Sequence, residues 1–95
     1  MTIEVKNLRK PGVFYDSTKL GILSNMISGS VRERTRGTYI VKSKIEGHKL
    51  VLTILQLNPE TNKYSPVLKD EQSILVGRIS NFLQQQGISA DVVVV

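Results

Sequence analysis

Residues 38–57 contain two strand-like runs joined by a short break, and the second run most constrains the fold. Over residues 50–57 the sequence is LVLTILQL, so apolar side chains occupy both faces of a strand and only Thr53 and Gln56 interrupt them. A strand that is apolar on both faces is typical of the centre of a sheet with cover on each side. We therefore expect a sheet centred on this strand, with helices on one face and further cover, from this chain or a partner, on the other.

The first run, residues 39–45, has two unequal faces. Its β-branched and aromatic residues favour a strand. Lys42 and Lys44 share one face of that strand, which predicts a surface that is partly wet. Gly47 lies in the break between the two runs and can adopt the positive φ that a tight hairpin turn requires.

Alternating and helical spacings predict the elements before the hairpin. Residues 2–7 alternate apolar and polar side chains, as a half-buried strand does. Asp16 or Ser17 is expected to cap a helix over about residues 17–28, which Gly29 then ends. The following segment, SVRERTRG, is poor in apolar residues, so we expect an exposed loop that leads into the hairpin.

Turn residues and apolar spacing predict three elements after the hairpin. A short strand over residues 64–68 contains Pro66, which cannot donate to a ladder and therefore indicates a sheet edge. Asp70 is expected to cap a second helix over residues 70–86. Residues 88–95 end in four valines and predict a strand that must be paired or covered, because an unpaired valine edge promotes aggregation.

The resulting order, β-α-β-β-(β)-α-β, predicts a single two-layer α+β domain over residues 1–95. This order resembles the ferredoxin-like split βαβ arrangement. If the last strand pairs elsewhere, the interior α-β-β-β-α order is similar to that of double-stranded-RNA-binding domains. Those domains usually carry a basic cluster at the start of the last helix, whereas Asp70, Glu71 and Gln72 occupy that position here and would repel phosphate.

Length and composition exclude several classes of protein. Ninety-five residues leave room for one domain, and the absence of cysteine excludes disulfides and thiolate chemistry. The first ten residues have no apolar signal-peptide core, and no run approaches the ~18 apolar residues of a membrane span. We therefore expect a cytoplasmic protein that makes no contact with a membrane.

The residues that catalysis or metal binding requires are sparse. His48 is the only histidine and has no orienting partner nearby in sequence except Glu46, so an exposed turn residue is the simpler interpretation. The carboxylates are scattered, and the adjacent Asp70 and Glu71 are explained by helix capping. No phosphate-binding loop or nucleophile elbow is present. We expect a non-enzymatic protein with no metal and no cofactor.

Positive charge is concentrated in the first part of the chain. The net charge is +5, and residues 1–58 hold ten Lys or Arg against four Asp or Glu. The arginine guanidinium is a planar fork that matches phosphate, and an extended loop would direct arginines at alternate positions to one side. We therefore expect nucleic-acid backbone, or an acidic protein surface, to bind this basic set. Its members are Arg32, Arg34, Arg36, Lys42 and Lys44.

The alternative hypothesis is a protein-interaction or assembly module. Both helices can cover the same face of the sheet, so a second copy of the chain could close the other face in a homodimer. The C-terminal strand could equally add to the edge of a partner's sheet. A phage or plasmid accessory protein that acts on a host factor would fit this size. The interface residues of this hypothesis are Val92, Val93, Val94 and Val95.

Overall fold

The structure is a computed structural model that describes the backbone of residues 1–34 and 38–95. The elements within these ranges follow the predicted order and confirm an α+β fold. In chain order they are β1 (Thr2–Arg9), α1 (Ser17–Arg34), β2 (Tyr39–Glu46), β3 (Lys49–Asn58), β4 (Lys63–Pro66), α2 (Lys69–Gln85) and β5 (Ser89–Val94).

The sheet is antiparallel, and β3 is its central strand, as predicted. One side of β3 pairs with β2, while the other side is shared between β1 and the short β4. β1 then pairs with β5, which gives the strand order β2-β3-β1-β5 with β4 beside the second half of β3. This order is compatible with the ferredoxin-like arrangement. Because β5 pairs with β1, the condition for the order of double-stranded-RNA-binding domains is not met.

Both helices pack against the same face of the sheet. α1 lies against β2, and α2 lies against β5. The helices and the sheet meet in a core of aliphatic side chains, because alternate residues of β1 and β3 face the helices. Its most deeply buried members are Ile3, Val5, Leu20, Ile27, Leu50, Leu52, Ile54, Leu75, Ile79 and Leu83.

The described part of the chain supplies cover for one face of β3 only, so the cover expected on the second face would have to come from a partner. Neither described helix lies on the second face, which we call the open face. Val51 is nevertheless buried there, and Lys44 and Glu4 lie opposite it on the two neighbouring strands. Leu55 and Leu57 remain half-exposed on the same face.

Helix α1 continues to Arg34, beyond the end predicted at Gly29. Glycine inside a helix costs about 1 kcal/mol relative to alanine. Val31, two residues after Gly29, is 2% exposed and packs into the core. Burying a valine side chain stabilises by about 1.5–3 kcal/mol, so the extra turn is favourable despite the glycine. This extension places Arg32 and Arg34 in a helix rather than in the predicted loop.

The two helices begin with different caps. Asp16 Oδ1 accepts a hydrogen bond from the backbone N–H of Lys19 at 2.9 Å, which confirms Asp16 as the cap of α1. The cap of α2 is Leu68 rather than the predicted Asp70, and its side chain makes no capping hydrogen bond. Asp70 and Glu71 lie in the first turn of α2, where their negative charge is favourable beside the positive end of the helix dipole.

The turn between β2 and β3 has two residues, Gly47 and His48. They lie between the paired residues Glu46 and Lys49, so the hairpin is as tight as an antiparallel pair allows. Gly47 has φ +59°, in the left-handed region that a residue with a Cβ rarely adopts. The glycine therefore fixes the register that directs Lys42 and Lys44 to the open face.

Helix α2 ends in a Schellman motif that leads the chain into β5. The N–H of Gly87 donates to the carbonyl of Gln84 at 2.9 Å, and the N–H of Ile88 donates to the carbonyl of Leu83 at 2.9 Å. Gly87 has φ +73°, as this motif requires. Leu83 and Ile88 are both buried, so an apolar contact accompanies the two hydrogen bonds.

We expect Gly77→Ala to stabilise the protein by about 1 kcal/mol, because alanine has the higher helix propensity. Gly77 is exposed in the middle of α2, and a Cβ at this position would meet no heavy atom within 4 Å. No close contact therefore requires glycine here. Urea unfolding should show a higher midpoint at an unchanged m-value.

Gly87→Ala is the matched control, because its left-handed φ of +73° strains a residue with a side chain. This variant should have a lower unfolding midpoint than the native chain. A loss of stability in Gly77→Ala would contradict the description of α2 as a helix with an open outer face.

Candidate functional site: the open face and the free edges of the sheet

The open face has a charged half and an apolar half. The strand registers place the charged half beside the β2–β3 turn and the apolar half at the opposite end of the sheet. The charged half contains Glu4, Lys6, Lys42, Lys44, Glu46, Lys49 and Asp91. The apolar half contains Ile40, Leu55, Leu57, Tyr64 and Pro66.

Most charges on the open face are paired with one another. Lys49 Nζ donates to Glu4 Oε2 at 2.7 Å, and this hydrogen bond lowers the pKa of the Glu4 carboxyl and raises the pKa of the Lys49 ammonium. Lys44 Nζ lies 3.0 Å from a carboxylate oxygen of Glu46. Among the described residues, Lys42 has no carboxylate within 4 Å. The face therefore offers fewer uncommitted cations than the sequence indicates.

The arginines of the predicted basic set do not form the extended track that the sequence analysis expects. Arg32 is exposed in the last turn of α1, and Arg34 follows two residues later in the same turn. The helical backbone at residues 32 and 34 excludes the extended conformation on which the predicted track depends. Arg36 lies outside the described residues. The prediction of one loop that directs three arginines to one side is wrong for Arg32 and Arg34.

The two lysines of the predicted set belong to the other layer. Lys42 and Lys44 lie on the open face, as expected, whereas Arg32 belongs to the helix layer on the opposite face of the sheet. Because α1 packs on β2, which is an edge strand, these cations lie on both sides of one edge of the molecule. They do not form a single flat patch.

The valine strand forms the other edge of the sheet. β5 is paired with β1 on one side, and the N–H of Val95 donates to the carbonyl of Thr2 at 3.0 Å. Hydrogen-bonded and non-hydrogen-bonded pairs alternate in an antiparallel ladder, so Val93 also directs its backbone groups towards β1. Val92 and Val94 therefore direct theirs away from the sheet. The outer side of β5 is unpaired among the described residues.

The two edges differ in how they oppose unwanted pairing. Proteins commonly protect an edge strand with lysines, prolines or bulges. β2 carries Lys42 and Lys44 in its middle. β5 has Asp91 near its start, and a bulge in β1 between Lys6 and Arg9 disturbs the pairing there, but its last residues carry neither charge nor proline. The valine end of β5 is therefore the less protected edge.

The flank of α2 above this edge carries a single charged residue, Lys69, among the described residues. Phe82 and Arg78 of α2 line cavities shared with α1 and with the start of β2, so they mark the side of α2 that faces away from β5. Helical geometry of 100° per residue places a different set on the flank towards β5. That set, which we call the outer flank of α2, is Lys69, Ser73, Val76, Ser80 and Gln84.

A groove at the turn end of the sheet was not foreseen from the sequence. It lies between the end of β1, the segment before α1 and the β2–β3 turn, and it has a volume of about 440 Å³. Aromatic and polar side chains line it together, including Phe14, Tyr15, Lys6 and His48. The sequence places two consecutive aromatic residues, Phe14 and Tyr15, after a Pro-Gly turn. This pattern is equally compatible with packing on the following helix and with exposure to solvent.

The described residues form neither a metal site nor a membrane-spanning helix. In residues 1–34 and 38–95, no three His, Cys, Asp or Glu side chains gather as ligands of a metal ion would. Neither of the two described helices is long and apolar enough to cross a membrane. Comparison of the chain with protein-family models, with curated proteins and with solved structures found no match. Any functional assignment therefore depends on the geometry of this chain.

The Glu4–Lys49 pair gives a prediction for acid stability. The folded-state pKa of Glu4 lies below its ordinary value of 4.5, so the pair stabilises the fold above the unfolded-state pKa, and this is lost as the pH falls through the folded-state pKa. Glu4→Gln should therefore lower the free energy of unfolding at pH 7. The variant should also lose stability less steeply than the native chain between about pH 5 and pH 3. Urea unfolding across this pH range measures both effects.

Glu60→Gln is the control for this experiment. Glu60 is an exposed carboxylate in the turn before β4 and has no basic group within 4 Å among the described residues. Its removal should leave the pH profile unchanged. An identical profile for Glu4→Gln and the native chain would contradict the role of the ion pair.

Proposed function

We propose that this protein is a non-enzymatic assembly module that joins a second copy of itself by antiparallel pairing along the outer side of β5. The observation that carries the proposal is the free valine edge, where Val92 and Val94 direct unpaired backbone groups outward. Each unpaired N–H and C=O of an edge strand is a template for another strand. Val94 is 45% exposed, so its side chain also gains burial on pairing.

The edge is complementary to itself. An antiparallel pair of identical strands satisfies two-fold symmetry, because the same surface serves both copies. A register centred on Val92 opposes Ala90 of each copy to Val94 of the other. Asp91 then opposes Val93 rather than a second carboxylate, so no like charges lie directly opposite each other. The two sheets become one continuous sheet of twice the width.

The outer flank of α2 favours a second copy of this chain, rather than an unrelated strand, as the partner of β5. When two β5 strands pair, the α2 helices that lie against them approach each other on one face of the joined sheet. Four of its five side chains are uncharged, and the fifth, Lys69, is exposed at the first residue of the helix, where its ammonium can stay in solvent when the helices approach. Closely packed helices are separated by about 8–10 Å, which small side chains permit.

The size of this surface indicates a reversible dimer. The edge is about 20–25 Å long, since β5 has six residues and α2 has 17, and one helix above one sheet layer makes it roughly 20 Å high, so it covers on the order of 500 Å² per copy. Stable interfaces bury about 800 Å² per partner, so this one belongs to the smaller class. The dimer should therefore form and dissociate with protein concentration.

Val94→Pro should shift the protein from dimer towards monomer. Proline removes the outward N–H of Val94 but leaves the hydrogen bonds of Val93 and Val95 to β1, since proline is tolerated where the N–H does not join the ladder. Light scattering at several concentrations should give a mass that rises towards twice 10.6 kDa for the native chain and stays near 10.6 kDa for the variant.

Ser43→Pro is the matched control, because Ser43 is an exposed residue whose N–H points outward from β2, the opposite edge. This variant should dimerise as the native chain does. If the native chain is a monomer at every concentration, or if only Ser43→Pro dissociates the dimer, the proposed interface is wrong. A native monomer that gains mass only with an unrelated strand peptide would assign β5 to a foreign partner.

A second candidate function is binding of nucleic-acid backbone, supported by the cations along the β2 edge. Arg32 is exposed on one side of that edge, and Lys42 lies on the other without a carboxylate partner among the described residues. A phosphate backbone that follows the edge would contact both layers. This edge is opposite β5, so nucleic-acid binding and assembly do not compete for the same surface.

Replacing Arg32, Arg34 and Arg36 together with alanine should weaken binding to a generic nucleic acid and reduce its salt dependence. Each phosphate contact contributes roughly one unit to the slope of log K against log salt, so the slope should fall by about one for each of these arginines that contacts a phosphate. Fluorescence anisotropy at several salt concentrations measures this slope.

The control for this prediction is the double variant Lys63→Ala and Lys69→Ala, which removes two exposed cations outside the β2 edge. It should leave the slope unchanged. Equal losses in the two variants would show attraction by net charge without a defined site, and would contradict a track along β2.

A further inference from the structure

The turn-end groove combines an exposed aromatic ring with uncommitted positive charge. Phe14 lines the groove and is 71% exposed, although phenylalanine is usually among the more buried residues. Tyr15, the next residue, is half-buried and packs against the core, which fixes the backbone that carries Phe14. The ring is therefore presented to solvent from an anchored segment.

One lysine of the groove makes no close ion pair among the described residues, while Asp91 lies opposite it on β5 and Glu4 is near enough to interact with it. Lys6 has no carboxylate within 4 Å among the described residues, and it lines the groove with Phe14. Lys49 also lines it, and only one of the three donors of its ammonium is used by Glu4. The single carboxylate in the lining is Glu46, which Lys44 neutralises at 3.0 Å.

Further cations lie immediately beside the groove. Leu8 and Val13 line both this groove and an adjoining cavity of about 570 Å³. The adjoining cavity also contains Arg9 and Lys10, and no carboxylate lines it. An anion that leaves the first cavity therefore meets positive charge in the second.

We propose that the turn-end groove binds a nucleotide, with the base stacked on Phe14 and the phosphate held by Lys6. Base–aromatic stacking and a cationic track together are the chemistry by which proteins hold single nucleotides of a strand. A volume of about 440 Å³ lies within the usual range for small-molecule sites. The same chemistry suits a free nucleotide and one unit of a single-stranded nucleic acid.

This inference is independent of assembly through β5 and of the arginines at the end of α1. The groove lies at the β2–β3 turn, whereas Arg32 lies in the last turn of α1, which precedes the other end of β2 in the chain. The variant in which alanine replaces Arg32, Arg34 and Arg36 should therefore still bind a mononucleotide. Failure of either proposal leaves the other standing.

The test is a titration of the full chain with 5′-AMP, followed by the backbone amide signals in NMR. The amides of Lys6, Phe14 and His48 should shift with increasing AMP, while those of β4 should not. Adenosine and ribose 5-phosphate, which each retain half of the ligand, should bind more weakly than AMP. A deoxyadenosine hexamer that binds more tightly than AMP identifies a strand as the ligand, and equal affinity identifies the free nucleotide.

Phe14→Ala should weaken AMP binding by roughly 5- to 150-fold, the usual range for loss of one stacked base. Phe14→Trp should retain binding, because tryptophan also offers a flat ring. Tyr64→Ala is the control, since Tyr64 is 53% exposed at the apolar end of the open face. Lys6→Gln should reduce the salt dependence of binding, and Lys63→Gln should not.

Two results would overturn the proposal. One is the absence of any shift at the groove with AMP at millimolar concentration. The other is equal weakening by Phe14→Ala and Tyr64→Ala, which would show that exposed aromatic residues attract the base without a site. Because Phe14 is exposed, unfolding of the variant is not expected, and the dispersion of the NMR spectrum verifies this directly.

Discussion

The pairing of β1 on both of its sides is the interaction on which the rest of the structure depends. β1 lies between β3 and β5, and its alternate residues Ile3 and Val5 are completely buried against the helices. It also joins the two ends of the chain, since Val95 donates to Thr2. Because β1 lies between β3 and β5, β5 is an edge strand, and α2 lies above that edge. The proposed assembly surface is thus a direct consequence of where β1 is inserted.

The same topology separates three surfaces of different chemistry. The β5 edge is apolar and has unpaired backbone groups, whereas the β2 edge is flanked by cations, and the turn end carries Phe14 in a mixed groove. Charges on the open face largely satisfy one another, as the Glu4–Lys49 pair illustrates. Solvated ion pairs of this kind contribute little to specific binding. The edges and the groove are therefore the stronger candidates for function.

Much of the fold was predictable from the sequence, because strong local patterns agree with it. The candidate site was less predictable. The apolar run of β3, the turn at Gly47 and the capping by Asp16 all follow from local chemistry. The predicted end of α1 was wrong because burial of Val31 outweighs the low helix propensity of Gly29. Burial depends on tertiary contacts, which a local pattern does not specify. That error moved the arginines out of their predicted arrangement. The pairing of β5 with β1 joins opposite ends of the chain, and no local pattern specifies such a partner.

The most direct test of the central claim is hydrogen exchange at individual amides of β5, measured by NMR at high and low protein concentration. The amides of Val93 and Val95 point towards β1 and should be protected at both concentrations. Those of Val92 and Val94 point outward, so the account predicts protection at high concentration that is lost on dilution. Outward amides that exchange at the same rapid rate at every concentration would contradict pairing of a second copy along β5.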